Sequence, residues 1–244
     1  MQAGIDDRTR TAVRALALAS VLCCVMAAAR AIYSARFTYL FFGWNLALAW
    51  VPVGLSLVLA RRFQPGRQRP VTWVLGAVWL AFFPNAPYMV TDIIHLSPRS
   101  PIPLWFDAIL VFAFALCGLG LAFISLLLVH GLVRQWRGSR AGWLFVAVVA
   151  GLTGFGVYLG RFQRWNSWDL VARPEDLFAS VTQEFLHPAL HPRPLGMTVV
   201  FGGFFGIAYL VLFSLTRLGA QAPALPKADR IPSSPARDNE TRGS

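Results

Sequence analysis

Three aspartates lie where apolar sequence meets short polar loops, and they are the side chains best suited to acid–base chemistry. Asp92 follows a run of aromatic residues and prolines, Asp107 opens an apolar stretch, and Asp169 follows a Trp-rich loop. The remaining acidic residues lie in the terminal tails or in one stretch, 175–184. Placing a carboxylate beside an apolar, membrane-spanning segment costs free energy, which is typical of functional residues. Because a carboxylate can also exchange protons, these three are our candidate catalytic residues.

Neutral and basic side chains accompany the aspartates at one predicted membrane level. Arg161 and Arg164 are three residues apart and would hold an anionic group such as phosphate. Asn45 and Asn85 lie at similar predicted depths, by the rise of a helix, and would orient the ligand or contact each other. The candidate ligand-binding residues are Asn45, Asn85, His95, Arg161, Arg164 and Asn166.

Three interpretations of this polar cluster stay open. It could bind or process an anionic lipid or cell-envelope molecule, since polar residues beside an interrupted helix mark sites in membrane proteins. It could be a structural clasp in which Asp92 and Asp107 pair with the two arginines. His95 and the three aspartates are of types that hold a divalent ion, but their spacing matches no motif. We therefore predict neither a metal nor a cofactor.

Six long apolar segments must position these residues. Of the 244 residues, 56% are apolar and 14% are charged, against about 25% charged in soluble domains. A membrane-spanning helix needs about 20 apolar residues, so we predict an all-α polytopic membrane protein with one membrane domain, residues 1–216. The first segment could instead be a signal peptide, because its apolar core is short. The predicted spans are 12–29, 38–60, 71–90, 104–130, 141–160 and 197–215.

The third span carries a predicted interruption. Pro84 and Pro87 each lack a backbone N–H and disfavour helix in the residue before them. Carbonyl groups freed in this way must find partners in protein or water, because lipid offers none. The interruption places Asn85 and Asp92 beside irregular backbone at the end of the span.

The basic residues predict the orientation. With the N-terminus inside, 15 of the 22 Lys and Arg residues fall on the cytoplasmic side, which favours cytoplasmic N- and C-termini. The net charge of +11 is then a topology signal, and we predict no nucleic-acid partner. Residues 175–186 predict an amphipathic surface helix in the last outer loop, a possible lid. Residues 217–244 predict a disordered cytoplasmic tail.

Several blocks of this sequence resemble a known family. They are 44–52 (WNLALAWVP), 83–88 (FPNAPY), 91–92 (TD), 95–96 (HL), 105–107 (WFD), 160–162 (GRF) and 166–169 (NSWD). Together they are similar to domain-of-unknown-function family 1361, bacterial predicted membrane proteins, over about residues 30–215. The resemblance implies a polytopic protein of the bacterial inner membrane and carries no activity or cofactor.

Three functions remain in competition, and the sequence leaves open whether the protein is an enzyme. The first is binding or processing of an anionic lipid or envelope molecule at the outer leaflet. The second is a structural or assembly protein of the membrane, whose protein partner the sequence does not identify. A transporter is the weakest of the three, because the inner halves 53–60, 71–80 and 141–150 are almost entirely apolar.

Overall fold

The computed structural model of the protein describes residues 7–66, 69–98, 101–186 and 192–221. Over these residues the chain is helical, with short connections. A 3-10 segment, Met89–His95, follows α4 directly. The helices are α1 (Asp7–Ser34), α2 (Phe41–Arg62), α3 (Pro70–Phe82), α4 (Asn85–Tyr88), α5 (Leu104–Arg137), α6 (Ser139–Phe162), α7 (Asp169–Ala172), α8 (Pro174–Leu186) and α9 (Pro192–Gln221).

Six segments are long and apolar enough to cross a membrane, which confirms the predicted all-α polytopic fold. They are Asp7–Ser34, Phe41–Arg62, Pro70–His95, Leu104–Arg137, Ser139–Phe162 and Arg193–Leu218. Two extend well beyond the predicted spans. The first includes Arg30, which lies beyond the predicted span 12–29 and therefore in a predicted loop, and α5 continues to Arg137. The predicted tail begins within α9, and residues 222–244 lie outside the described residues.

Helix α5 is the central element. It contacts α1, α2, α4, the 3-10 segment, α6 and α9, and most of its apolar length is buried. Leu110, Phe114 and Leu121 on this helix are completely buried. Since lipid is as apolar as these side chains, close van der Waals packing rather than escape from water holds the helices together.

Small residues bring α6 and α9 into direct backbone contact. A Cβ atom added at Gly202 would lie 2.7 Å from the carbonyl oxygen of Ala150. One added at Gly154 would lie 2.7 Å from the carbonyl oxygen of Thr198. Side chains larger than hydrogen would therefore separate the two helices, as in other membrane interfaces built on small residues.

The third span is interrupted at the position that the prolines predict. Helix α3 ends at Phe82, and α4 and the 3-10 segment complete the span. The carbonyl oxygen of Phe82 accepts a hydrogen bond from Asn85 Nδ2 (2.9 Å), and that of Ala81 accepts one from Ser167 Oγ (2.9 Å). Side chains thus satisfy carbonyls for which a continuous helix would have supplied backbone donors.

Candidate functional site

A buried ion pair joins α6 to the 3-10 segment. Arg161 Nη2 donates to Asp92 Oδ1, and the Asp92 side chain is 1% exposed. The same guanidinium donates to Thr91 Oγ1 through Nε (3.1 Å) and Nη2 (2.7 Å). Its Nη1 lies 3.0 Å from His95 Nε2. Arg161 is therefore engaged along its whole edge by residues of one segment, which leaves little donor capacity for a ligand.

Two glycines allow α6 to approach closely enough for this pairing. A Cβ at Gly156 would lie 2.7 Å from Pro84 Cγ, and one at Gly160 would lie 3.2 Å from the Tyr88 ring. The Arg161 guanidinium covers the face of that ring, 4.3 Å from its centroid. The interrupted span and the glycines of α6 thus form one packed unit, with a cation–π contact at its end.

Asp107 does not join this pair, contrary to the clasp that the sequence suggested. It accepts two hydrogen bonds from Arg30 on α1, from Nε at 2.6 Å and from Nη2 at 2.9 Å. Both side chains are at most 2% exposed. A bidentate, desolvated pair of this kind holds its two helices in one register, because separating the partners would leave a buried charge unpaired.

Tyr39 connects the two ion pairs. Its ring lies under the Arg30 guanidinium, 4.4 Å from the ring centroid, and its hydroxyl donates to the carbonyl oxygen of His95 (3.1 Å). Because His95 also contacts Arg161, a continuous series of contacts runs from Asp107 to Asp92. We call the residues Asp107, Arg30, Tyr39, His95, Arg161, Thr91 and Asp92 the ionic network.

Asp169 is the third candidate acid, and its partners are local. It accepts hydrogen bonds from the backbone N–H of Asn166 (2.8 Å) and from Arg173 Nη2 (3.0 Å). The backbone N–H of Asn166, aided by Arg173, holds the pKa of Asp169 below its usual value. Asp169 therefore shapes the loop that follows α6 and joins neither buried ion pair.

Arg164 also lies apart from the network. Its side chain is exposed, and its backbone φ of 59° is in the left-handed region. This conformation turns the chain back so that the Trp165 N–H reaches the carbonyl oxygen of Leu159 (3.2 Å). The turn directs the segment 165–167 across the end of the interrupted span.

A cavity of about 450 Å³ lies beneath this turn, between α2, α3, α4 and α6. Its deeper wall is apolar and includes Leu48, Ala77, Leu80, Leu152 and Phe155. Ala77 and Leu152 are exposed, so this wall continues into the surface that faces lipid. The size is within the usual range for ligand sites in proteins.

The opposite end of the cavity is polar but uncharged. Three of the sequence-predicted residues, Asn45, Asn85 and Asn166, line it, together with Ser167 and Tyr88. None of the residues that line it within the described ranges carries a charge. The candidate aspartates and arginines therefore lie outside the cavity, whereas the candidate asparagines line its polar end.

The two deep asparagines do not pair with each other, although the sequence made that contact plausible. Asn45 Nδ2 donates to Asp92 Oδ2 (3.2 Å), so Asn45 joins the cavity to the ionic network. Asn85 Nδ2 donates to Ser167 Oγ (2.8 Å) as well as to Phe82. The N–H group of each amide is thus fixed by a neighbouring acceptor, and the amide oxygen takes no part in these contacts.

Helix α8 covers one side of the cavity. Leu177 is buried and belongs to the cavity lining, and Ser180 Oγ donates to Gln163 Oε1 (2.6 Å). Trp165 Nε1 donates to the same oxygen (3.0 Å). The helix predicted from the amphipathic pattern is therefore present and packs beside the cavity through Leu177.

The divalent-ion interpretation finds no geometric support in the described part of the chain. No group of three or more His, Cys, Asp or Glu side chains there comes together as a metal site would require. His95 and Asp92 instead both contact Arg161, whereas Asp107 pairs with Arg30 and Asp169 accepts from Asn166 and Arg173.

Four partners in these contacts were not anticipated from sequence. Arg30 was assigned to a loop, although an arginine at the end of an apolar helix requires a partner and could have signalled a buried pair. Thr91 acts through its hydroxyl, Tyr39 acts through its hydroxyl and its ring, and such residues at span ends are too common to single out. Ser167 reaches Ala81 only because the turn at Arg164 directs it there.

Comparison with known proteins gives one result. A family model described as "Protein of unknown function (DUF1361)" matches residues 44–208. No curated protein and no solved structure matches the chain. The matched region includes the interrupted span, α6, the turn at Arg164 and the cavity, and it excludes Arg30. The described residues include six helices long and apolar enough to cross a membrane, and, since the match covers more than half of its length, the chain belongs to the DUF1361 family.

Proposed function

We propose that this protein binds an amphipathic membrane molecule in the cavity between α2, α3, α4 and α6. The observation that carries the proposal is the change in polarity along the cavity wall. The wall is apolar where it meets the lipid surface and is lined by amides at its other end. An acyl chain fits the first part, and a polar head group fits the second. The ionic network supports this site as a scaffold and does not perform chemistry.

The scaffold role follows from how fully the charges are paired. Asp92 and Asp107 are each about 1% exposed and each accept hydrogen bonds from an arginine. A general acid or base must reach the proton that it transfers. Buried carboxylates whose lone pairs already accept from arginine meet that requirement poorly, so binding is favoured over catalysis.

We further propose that the cavity faces the outer leaflet of a bacterial inner membrane. The excess of basic residues in the segments at the other end supports this orientation. A green fluorescent protein fused after Gln221 should fluoresce, and alkaline phosphatase at the same position should be inactive. The reverse pair of results would overturn the orientation and place the cavity at the inner leaflet.

Filling the cavity tests the binding proposal. Ala77→Trp places a large side chain at the apolar wall, and Ala47→Trp adds the same volume at an exposed position of α2 outside the lining. Protein purified in detergent should retain a lipid that mass spectrometry detects. The expected result is a loss of at least about tenfold in Ala77→Trp, the effect of about 1.4 kcal/mol. Equal retention in both variants would contradict the proposal.

A further inference from the structure

We infer that the head group recognised in this cavity is uncharged and rich in hydroxyl groups, as in a glycosylated diacylglycerol. The inference rests on the proposed function and names the class of ligand. It departs from the anionic ligand that the paired arginines suggested at the level of sequence. Three independent features of the cavity support it.

The first feature is the absence of positive charge in the lining. None of the lining residues in the described ranges is basic, and Arg161 of α6 is occupied by Thr91, Asp92 and His95. Arg173, whose guanidinium carbon lies 5.2 Å from the ring centroid of the lining residue Trp165, is paired with Asp169. A phosphate placed here would lose its hydration without gaining a cation. Burial of an unpaired charge is strongly unfavourable, so the cavity selects against anionic head groups.

The second feature is an excess of side-chain acceptors. Asn45 and Asn85 turn their N–H groups toward Asp92, Phe82 and Ser167, which fixes the orientation of both amides. Asn166 Nδ2 faces Asp169, at 3.5 Å. Among the described residues, nothing donates a hydrogen bond to the three amide oxygens. These oxygens require donors from a ligand or from water.

The third feature is a pair of backbone acceptors created by proline. Pro52 and Pro84 have no N–H, so the carbonyl groups of Leu48 and Leu80 lack the donor that a regular helix supplies four residues later. Both leucines line the cavity. Two spans beside the cavity therefore each carry a carbonyl group without its regular helical donor, and lipid offers no compensating donor.

A hydroxylated head group satisfies these three conditions together. Each hydroxyl donates one hydrogen bond and accepts others, so it can serve the amide oxygens and also the hydroxyl of Tyr88 and the indole N–H of Trp44. A phosphate offers acceptors only. The chemistry of the cavity thus matches a sugar-like head on an acyl anchor.

Lipid titration with matched acyl chains tests the inference. Delipidated full-length protein in detergent receives monoglucosyl diacylglycerol, phosphatidic acid or phosphatidylethanolamine, and native mass spectrometry gives the affinities. We expect the glucosyl lipid to bind at least about tenfold more tightly than phosphatidic acid, because the phosphate would lose hydration at the cavity without gaining a cation. Ala77→Trp should abolish binding of the glucosyl lipid.

Two neighbouring loop residues provide the specific variants. Asn166→Ala should weaken binding of the glucosyl lipid about fivefold, as expected for one hydrogen bond, and leave binding of phosphatidic acid unchanged. Arg164→Ala, in the same exposed turn, should change neither affinity. Asn166 is exposed, so its replacement leaves the fold intact, which the melting temperature verifies.

The outcomes distinguish failure of the head-group inference from failure of the proposed function. Equal or tighter binding of phosphatidic acid would overturn the inference in favour of an anion, and equal binding of phosphatidylethanolamine would overturn it in favour of an ammonium donor. In both cases sensitivity to Ala77→Trp would preserve the proposed function. Binding of all three lipids that is indifferent to Ala77→Trp would overturn the proposed function as well.

Discussion

The ionic network and the cavity are neighbours joined by Asn45, and their polar groups differ in charge and in hydrogen bonding. In the network each of the two carboxylates meets a guanidinium, and the four paired side chains are at most 9% exposed. In the cavity the polar groups are neutral, and the amide oxygens have no donor within the described residues. The difference indicates which groups hold the protein together and which are available to a ligand.

The contrast also changes which residue types in this sequence indicate a functional site. Charged residues in a membrane protein attract attention as functional candidates, because their burial is costly. Here that cost is offset by pairing across helices, although Arg30 Nη1 is buried without a hydrogen-bond partner among the described residues. The amide oxygens of the asparagines also lack donors in this part of the chain, but they belong to residues that line a cavity. Access to an open hydrogen-bonding group therefore distinguishes site from scaffold more sharply than charge does.

Removing one member of an ion pair should have the largest effect on folding. Arg161→Ala leaves Asp92 buried without a counterion, which typically costs about 3–5 kcal/mol. We expect loss of monodisperse protein in size-exclusion chromatography. Arg164→Ala is the matched control, because Arg164 is exposed and should change stability little. A stable Arg161→Ala protein would show that the network is dispensable for the fold.

Steric separation of α6 from the interrupted span should have a smaller effect. Gly156→Ala places a Cβ 2.7 Å from Pro84, and overpacking of this kind costs about 1–3 kcal/mol. Gly151→Ala, on the same helix, meets nothing within 4 Å. Thermal unfolding should show a lower melting temperature for the first variant alone. Identical melting temperatures would mean that α6 can move away from Pro84 without cost.

The smallest effect is expected at Asp169, whose partners are local. Because the pKa of Asp169 is lowered in the folded protein, its contribution to stability is present above about pH 4 and is lost as the pH falls further. Asp169→Asn should destabilise by about 1 kcal/mol and remove that part of the pH dependence. Melting temperatures at pH 7 and pH 3.5 would test this. An unchanged acid sensitivity in the variant would assign the effect to another group.

The fold could be predicted from sequence further than the site could. Apolar length defined the six spans, and the missing N–H groups of Pro84 and Pro87 located the interruption, since both depend on local chemistry. The partner of Asp107 depends instead on how α1 packs against α5, across 77 positions of the chain. No local pattern contains that information.

The sequence could not predict that the asparagines line the cavity while Arg161 is paired and Arg164 is exposed, for a related reason. Asn45 and Asn85 were candidates because of their similar predicted depth, and Asn166, Arg161 and Arg164 because they lie at the same predicted membrane level. Only the contacts show that Arg161 is fully engaged and that Arg164 turns outward. Whether a polar group is occupied is a property of its surroundings in three dimensions, and residue type alone does not determine it.

Melting temperature and glucosyl-lipid affinity, measured together on Asn166→Ala and Arg161→Gln, test the central claim most directly. A polar group of the cavity should affect binding, and a charged group of the network should affect folding. We predict that Asn166→Ala lowers affinity at an unchanged melting temperature, and that Arg161→Gln lowers the melting temperature. An Arg161→Gln protein with the wild-type melting temperature and no lipid binding would contradict the account.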